Sequence, residues 1–313
     1  MLLIISALAT FSYAGVAIYI AARLVYRAPI PLVGNPGQFG LRYTDITFHA
    51  RGDRVQIKGW IIPGVLPNGN LTDDRILIVV HGTWQNRTDP AAGVLALSVA
   101  FARHGFAVPA FDMRGMGESQ PAPLSMGYFE QRDVLGAVDF IQRGGWPYPA
   151  LGRPRVIGGW GVSLGGATLL LAAAQEPAIR AVVSDSAYAD VIPILERQIP
   201  SLGGIPPFFT SGVLVAAQAL YGINFYAVRP VDGMARIAPR PILLIHGAAD
   251  TFVPPSNMSE LYAAASAAPS AHVQMWLVPG ATHAQSFHTE GAVYVQRVVA
   301  FFVAALGPDQ SAA

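Results

Sequence analysis

Ser163 lies midway between two glycines in Gly161-Val162-Ser163-Leu164-Gly165. A short apolar run, Val156 to Trp160, comes just before it, and a helix-like stretch, Ala167 to Ala174, follows. This is the pattern of a serine raised on a sharp strand-to-helix turn, where its hydroxyl can attack an electrophilic carbon. Gly161 and Gly165 matter because side chains at those two places would collide across so tight a turn. A plain glycine-rich turn gives the same five residues, so the flanking strand and helix carry the reading.

A serine hydroxyl is a weak nucleophile until a base takes its proton, and that base needs a partner to fix its tautomer. Two downstream segments offer them. His246-Gly247-Ala248-Ala249-Asp250 follows the strand-like Pro241 to Ile245, and Pro279-Gly280-Ala281-Thr282-His283 follows Val273 to Val278. The order Ser…Asp…His is the one a strand-borne serine elbow requires. Asp185, after another core strand, is a rival acid, and His288 a rival base at the start of the last helix.

These segments, with His81-Gly82-Thr83-Trp84 and Asp112-Met113-Arg114-Gly115-Met116-Gly117-Glu118-Ser119, resemble the α/β-hydrolase superfamily in its serine carboxylesterase and oligopeptidase-like branch. The resemblance runs from about residue 44 to 306. It implies Ser163 as nucleophile, His283 as base and Asp250 as orienting acid. Oxyanion charge needs fixed backbone donors. The Leu164 amide at the helix start is one; the resemblance makes Thr83 the second, with Trp84 the alternative. Asp112 and Arg114 are expected to brace their loop. His81 and His246 read as hydrogen-bonded structural residues, and His49, His104 and His272 as ordinary positions. Such chemistry needs no cofactor and no metal.

The elements that must position these groups alternate. Ile76–Val80 is a β-branched run of the buried, parallel type, with a helix over 91–103 and a strand over 106–111 next. A helix over about 129–142, the strand and helix around Ser163, a strand over 181–184, the two late strands and a helix over 292–305 complete the series. Asp45–Phe48 and Val55–Ile62 suggest a leading hairpin. The expected fold is α/β: a mostly parallel sheet of about eight strands with helices on both faces. Residues of about 190–230 interrupt the alternation. They are uncharged from Gln198 to Val228, hold a possible helix at 211–221, and read as a small lid over an acyl pocket or beside lipid. A span there is excluded by Gly203, Gly204, Pro206, Pro207 and Gly212.

Composition narrows the function. The chain has 313 residues, 52% hydrophobic and 12% charged, with formal net charge +1 and no basic stripe, so nucleic acid is not expected as a partner. The absence of cysteine removes disulfides, thiolate metal sites and a cysteine nucleophile, and the seven histidines lack metal-ligand spacing. Met1 to Ala22 carries no charge, a length sufficient to cross a bilayer, with Arg23 and Arg27 behind it and Tyr19 and Tyr26 as interface residues. A cleaved signal wants a basic start and a shorter apolar centre, and a buried core helix is the other alternative. The expected organisation is an anchor over 1–27, touching lipid through 2–22; a Pro- and Gly-rich linker over 28–43; a catalytic domain over 44–306; and a disordered tail over 307–313. The two arginines put the catalytic domain on the cytoplasmic side. The substrate expected is a small hydrophobic acyl ester, cleaved through an acyl-enzyme. A peptidase, amidase or thioesterase with the same triad is the alternative, with a non-catalytic binding protein behind it.

Overall fold

The computed structural model describes residues 1–143, 146–147 and 156–307; residues 308–313 of the expected tail lie outside them. A long helix, α1 (Leu2–Val25), leads into the hairpin β1 (Thr44–His49) and β2 (Gln56–Ile62). Then follow β3 (Arg75–Val80), α2 (Val94–Arg103), β4 (Val108–Phe111), α3 (Gln131–Gln142), β5 (Val156–Val162), α4 (Leu164–Ala173) and β6 (Ile179–Asp185). Helices α5 (Ile192–Gly203) and α6 (Phe209–Tyr221) precede β7 (Ile242–Gly247), α7 (Ser256–Ser266), β8 (Val273–Val278) and α8 (Ala292–Leu306).

The eight strands form one sheet in the order β1-β2-β4-β3-β5-β6-β7-β8. Hairpin β1–β2 is antiparallel and β2 meets β4 antiparallel, while β3 to β8 run parallel with β4. The β-branched run of β3 is buried along its whole length, as a central strand covered on both faces must be. Its side chains alternate between two cores. Ile76, Ile78 and Val80 join α3, α4 and α7 on one face, and Leu77 and Val79 join α2 and α8 on the other. The fold expected from the sequence is therefore the fold observed.

Chain order reverses at β3, since β4 lies on one side of it and β5 on the other. Loops leaving the carboxyl ends of β3 and β5 thus diverge and open a crevice between them. The loop after β3 carries His81 to Trp84, and the turn after β5 carries Ser163.

Two features depart from the sequence reading. The insertion holds two helices rather than one. Pro193 sits in the first turn of α5, where no N–H is missed, and Pro200 lies near its end, so neither stops the helix. Helix α1 also has two environments. Ile4, Leu8 and Phe11 are exposed, whereas Ala17, Ile20, Ala21, Leu24 and Val25 are buried in the core with α5 and α6. Tyr13 stacks on Phe209 at 4.7 Å and donates its hydroxyl to the Phe208 carbonyl at 3.0 Å, against Gly212. The expected anchor and the expected lid are therefore one packed unit. The following segment is tied down as well: Asn86 donates to the Ile30 carbonyl, and the Val33 N–H to the Thr88 hydroxyl.

Candidate active site

Ser163 stands between the last residue of β5 and the first of α4, at φ 55° and ψ −121°. A non-glycine residue holds such backbone only when its surroundings impose it. Here the imposing contacts are visible. A Cβ on Gly161 would lie 2.5 Å from the Gly165 carbonyl oxygen, and one on Gly165 would strike the Val80 and His81 carbonyls. The Ser163 N–H donates to the Asp185 carbonyl at 2.8 Å, tying the turn to β6. The other non-glycine residues with positive φ include Trp84, Met126 and Ala284. These three and Ser163 all line one cavity, so backbone strain gathers at this site.

The Ser163 Oγ lies 2.8 Å from Nε2 of His283, and Nδ1 of His283 lies 2.7 Å from an Asp250 oxygen. With Nδ1 protonated and donating to Asp250, Nε2 is free to accept the serine proton. The other Asp250 oxygen accepts the Phe252 and Val253 N–H groups, both at 2.9 Å. Burial alone would raise this carboxyl. Hydrogen bonds from His246 and His283, the charge of His283 and the Val253 N–H outweigh it and hold Asp250 well below the usual carboxylate range. The Phe252 ring packs on His283 with centroids 4.8 Å apart.

His81-Gly82-Thr83-Trp84 borders the serine: a Cβ on Gly82 would be 3.7 Å from that of Ser163. The Leu164 N–H opens α4 and has no partner within the helix. Among the described residues the Thr83 N–H has no backbone partner. His81 locks this loop, with Nδ1 2.8 Å from the Gly82 carbonyl and Nε2 accepting the Met113 N–H at 3.0 Å. Its complete burial pushes the imidazole pKa down to about 4, the Gly82 hydrogen bond opposing only in part.

The rival residues lie elsewhere. The Asp185 carboxylate accepts the hydroxyls of Ser186, Ser286 and Tyr294 at 2.9 to 3.0 Å, and not His283. Burial raises it, with those three donors lowering it. His288 is exposed and bonds the Pro90 carbonyl. Asp112 pairs with Arg87, and Arg114 with Asp133 at 2.7 Å, so both brace loops. His246 bonds the Val253 carbonyl at 2.8 Å and also lies 3.3 Å from the Asp250 carboxylate, a supporting contact its sequence position did not suggest.

The serine and histidine open on a largely apolar cavity of about 800 Å³. Leu24, Arg27 and Ile30 line it beside Ile194, Leu195 and Leu202 of the insertion. No local motif marks residues 24–30 for this role; only the tertiary packing of α1 brings them here.

The Prolyl oligopeptidase family model matches residues 96–309. The chain belongs to that family. It is accordingly a hydrolase built on the α/β-hydrolase fold. The chain is also 27% identical to the uncharacterized protein YfhR of Escherichia coli K12 over 260 residues, covering 82% of this chain and 80% of that one. Among solved structures it is similar to the Pyrococcus furiosus esterase Pf2001, with TM-score 0.70 and 22% identity over 90% of this chain and all of that one. The acylaminoacyl peptidase of Pyrococcus horikoshii matches with TM-score 0.63 and 17% identity, over 89% of this chain and 45% of that one.

Proposed function

We propose that this prolyl oligopeptidase family member is a membrane-anchored serine esterase that cleaves hydrophobic acyl esters. The observation carrying this reading is the unbroken hydrogen-bonded line Ser163–His283–Asp250 at the mouth of an apolar cavity. In the proposed reaction Nε2 of His283 takes the Ser163 proton as Oγ attacks the ester carbonyl. Negative charge gathers on the carbonyl oxygen and is met by the N–H groups of Leu164 and Thr83. The intermediate collapses, the C–O bond breaks, and His283 returns its proton to the departing alcohol. Water, deprotonated by His283, then attacks the acyl-serine, releasing the acid and restoring Ser163. Asp250 stays ionised and holds the imidazole throughout.

Anchoring is supported by α1, whose stretch from Ile4 to Val25 is long and apolar enough to cross a membrane. Within residues 2–22 the exposed Ile4, Leu8 and Phe11 would contact lipid, with Arg23 and Arg27 on the cytoplasmic side.

The test is hydrolysis of p-nitrophenyl esters of increasing chain length by the full chain in detergent, beside Ser163→Ala. Turnover that rises with chain length and disappears in the variant is expected, with fluorophosphonate labelling lost in parallel. Full activity in Ser163→Ala would end the assignment. Amide cleavage by the same triad is the second reading, favoured by the family's name and by the fold shared with an acylaminoacyl peptidase. Faster turnover of aminoacyl amides than of matched esters would select it.

A further inference from the structure

Among the described residues two arginines line the cavity, and neither pairs with a carboxylate. Arg27 follows α1 and lays its guanidinium over the Trp84 ring, 5.3 Å from the centroid. Arg197 on α5 donates only to carbonyl oxygens, of Pro193 at 3.3 Å and Phe252 at 3.4 Å. Trp84 belongs to the loop beside the serine, and Phe252 packs on His283. Each guanidinium therefore touches a residue that borders the Ser163–His283 pair, Arg27 through Trp84 and Arg197 through Phe252.

Among the described residues, the pairs within 4.0 Å that hold Arg51, Arg87, Arg114 and Arg229 to carboxylates have no counterpart at Arg27 or Arg197. One acidic side chain lines the cavity, Asp89. One oxygen of its carboxylate accepts the Ala91 and Ala92 N–H groups at 2.8 and 3.4 Å, and among the described residues no ion pair joins it to either arginine.

An apolar cavity rimmed by unpaired guanidinium groups fits a ligand with two parts. The apolar walls take a hydrocarbon chain. The planar forks of arginine suit an oxyanion, phosphate or carboxylate, which they can bind in bidentate fashion. Arg27 also stands just beyond the end of the apolar α1, the level at which a bilayer's headgroups meet water. One side of the cavity is thus built from Leu24, Arg27 and Ile30, which directly follow the segment expected to touch lipid.

We propose that the site binds a single-chain amphiphile with an anionic headgroup, the chain against Leu24 and Leu202 and the anion between Arg27 and Arg197. As a statement about substrate this rests on the esterase reading; as a statement about binding it does not.

The experiment separates the two. Full-length Ser163→Ala, which cannot turn over, is titrated calorimetrically in a nonionic detergent with dodecyl phosphate, dodecylphosphocholine and inorganic phosphate. Dodecyl phosphate is expected to bind at least tenfold more tightly than dodecylphosphocholine, and inorganic phosphate not measurably. Adding Arg27→Gln and Arg197→Gln should bring the two amphiphiles to equal affinity, with continued binding of dodecylphosphocholine showing an intact cavity. Equal affinities before those changes, a preference surviving them, or inorganic phosphate binding as tightly as the amphiphile would each overturn the proposal. Wild-type protein inert toward p-nitrophenyl butyrate would instead remove the esterase reading, while the affinity ratio still decides the ligand class.

Discussion

The Tyr294 hydroxyl donates to the Asp185 carboxylate at 2.9 Å, joining the end of β6 to the first turn of α8. The same carboxylate accepts the Ser286 and Ser186 hydroxyls, and the Ser186 oxygen in turn accepts the Ala284 N–H at 3.2 Å. Ala284 is the residue after His283. Asp185 therefore acts on the imidazole at one remove, as a positioning residue. Its backbone carbonyl holds the Ser163 N–H at the same time.

Replacing Asp185 by Asn should leave a folded protein whose His283 loop is displaced. An amide cannot accept three hydroxyls as a carboxylate does. Misplacing a reacting group by about 1 Å can cost about a hundredfold in rate. We expect kcat to fall between about tenfold and a hundredfold with KM little changed. Steady-state kinetics on p-nitrophenyl butyrate check this. A wild-type kcat would show that the loop is held without Asp185.

The oxyanion reading concerns backbone, so side-chain changes test it poorly. Thr83→Ala should cost less than about threefold, because it leaves the N–H in place. Replacing Thr83 with its α-hydroxy acid analogue turns that N–H into an ester oxygen. Loss of one such donor lowers kcat by about a hundredfold or more. If the ester variant turned over at the wild-type rate, the second donor would have to be the Trp84 amide.

His81 makes stability depend on pH in a stated direction. Its folded pKa of about 4 lies below the ordinary value of 6.5. The unfolded chain thus takes up a proton that the folded one refuses. Its contribution is complete above pH 6.5 and is withdrawn as pH falls toward 4. Between pH 7 and 5 the loss should be about 2 kcal/mol. Urea unfolding at both values, compared with His81→Asn, measures it. The variant should show a smaller drop; an equal drop would assign the dependence to other groups.

Much of this architecture was legible because it is local. The β-branched run of β3 and the strand-turn-helix around Ser163 carry their signals within a few residues. Asp250 and His283 were named because the chemistry demands an acid and a base in loops after late strands, and the fold brings both within hydrogen-bond reach of the line to Ser163. What stayed hidden depends on packing between distant segments. Arg27 reads as a charge flanking an apolar helix, and nothing nearby in sequence ties it to Trp84. Helix α5 was obscured by Pro193, which costs little in a first turn, and by Pro200, which the helix carries in its interior at the loss of one backbone hydrogen bond. His246 bears on Asp250 through an i,i+4 contact across a loop, a spacing with no meaning outside a helix until the loop's path is known.

The elbow glycines offer a test of whether the turn is held by sterics. A methyl group at Gly165 would strike the carbonyl oxygens of Val80 and His81. Those atoms belong to the end of a fully buried central strand and its loop, and they have little room to retreat. Overpacking of this kind costs about 3 kcal/mol, or about 5 °C in a protein of this size. Gly165→Ala should therefore melt earlier by about that margin and lose hydrolytic activity beyond what its folded fraction explains. Gly15→Ala serves as the control, because a Cβ there meets nothing within 4 Å. Equal melting temperatures for the two variants would mean that the turn can relax, and that the strained backbone of Ser163 is not imposed by its glycine neighbours.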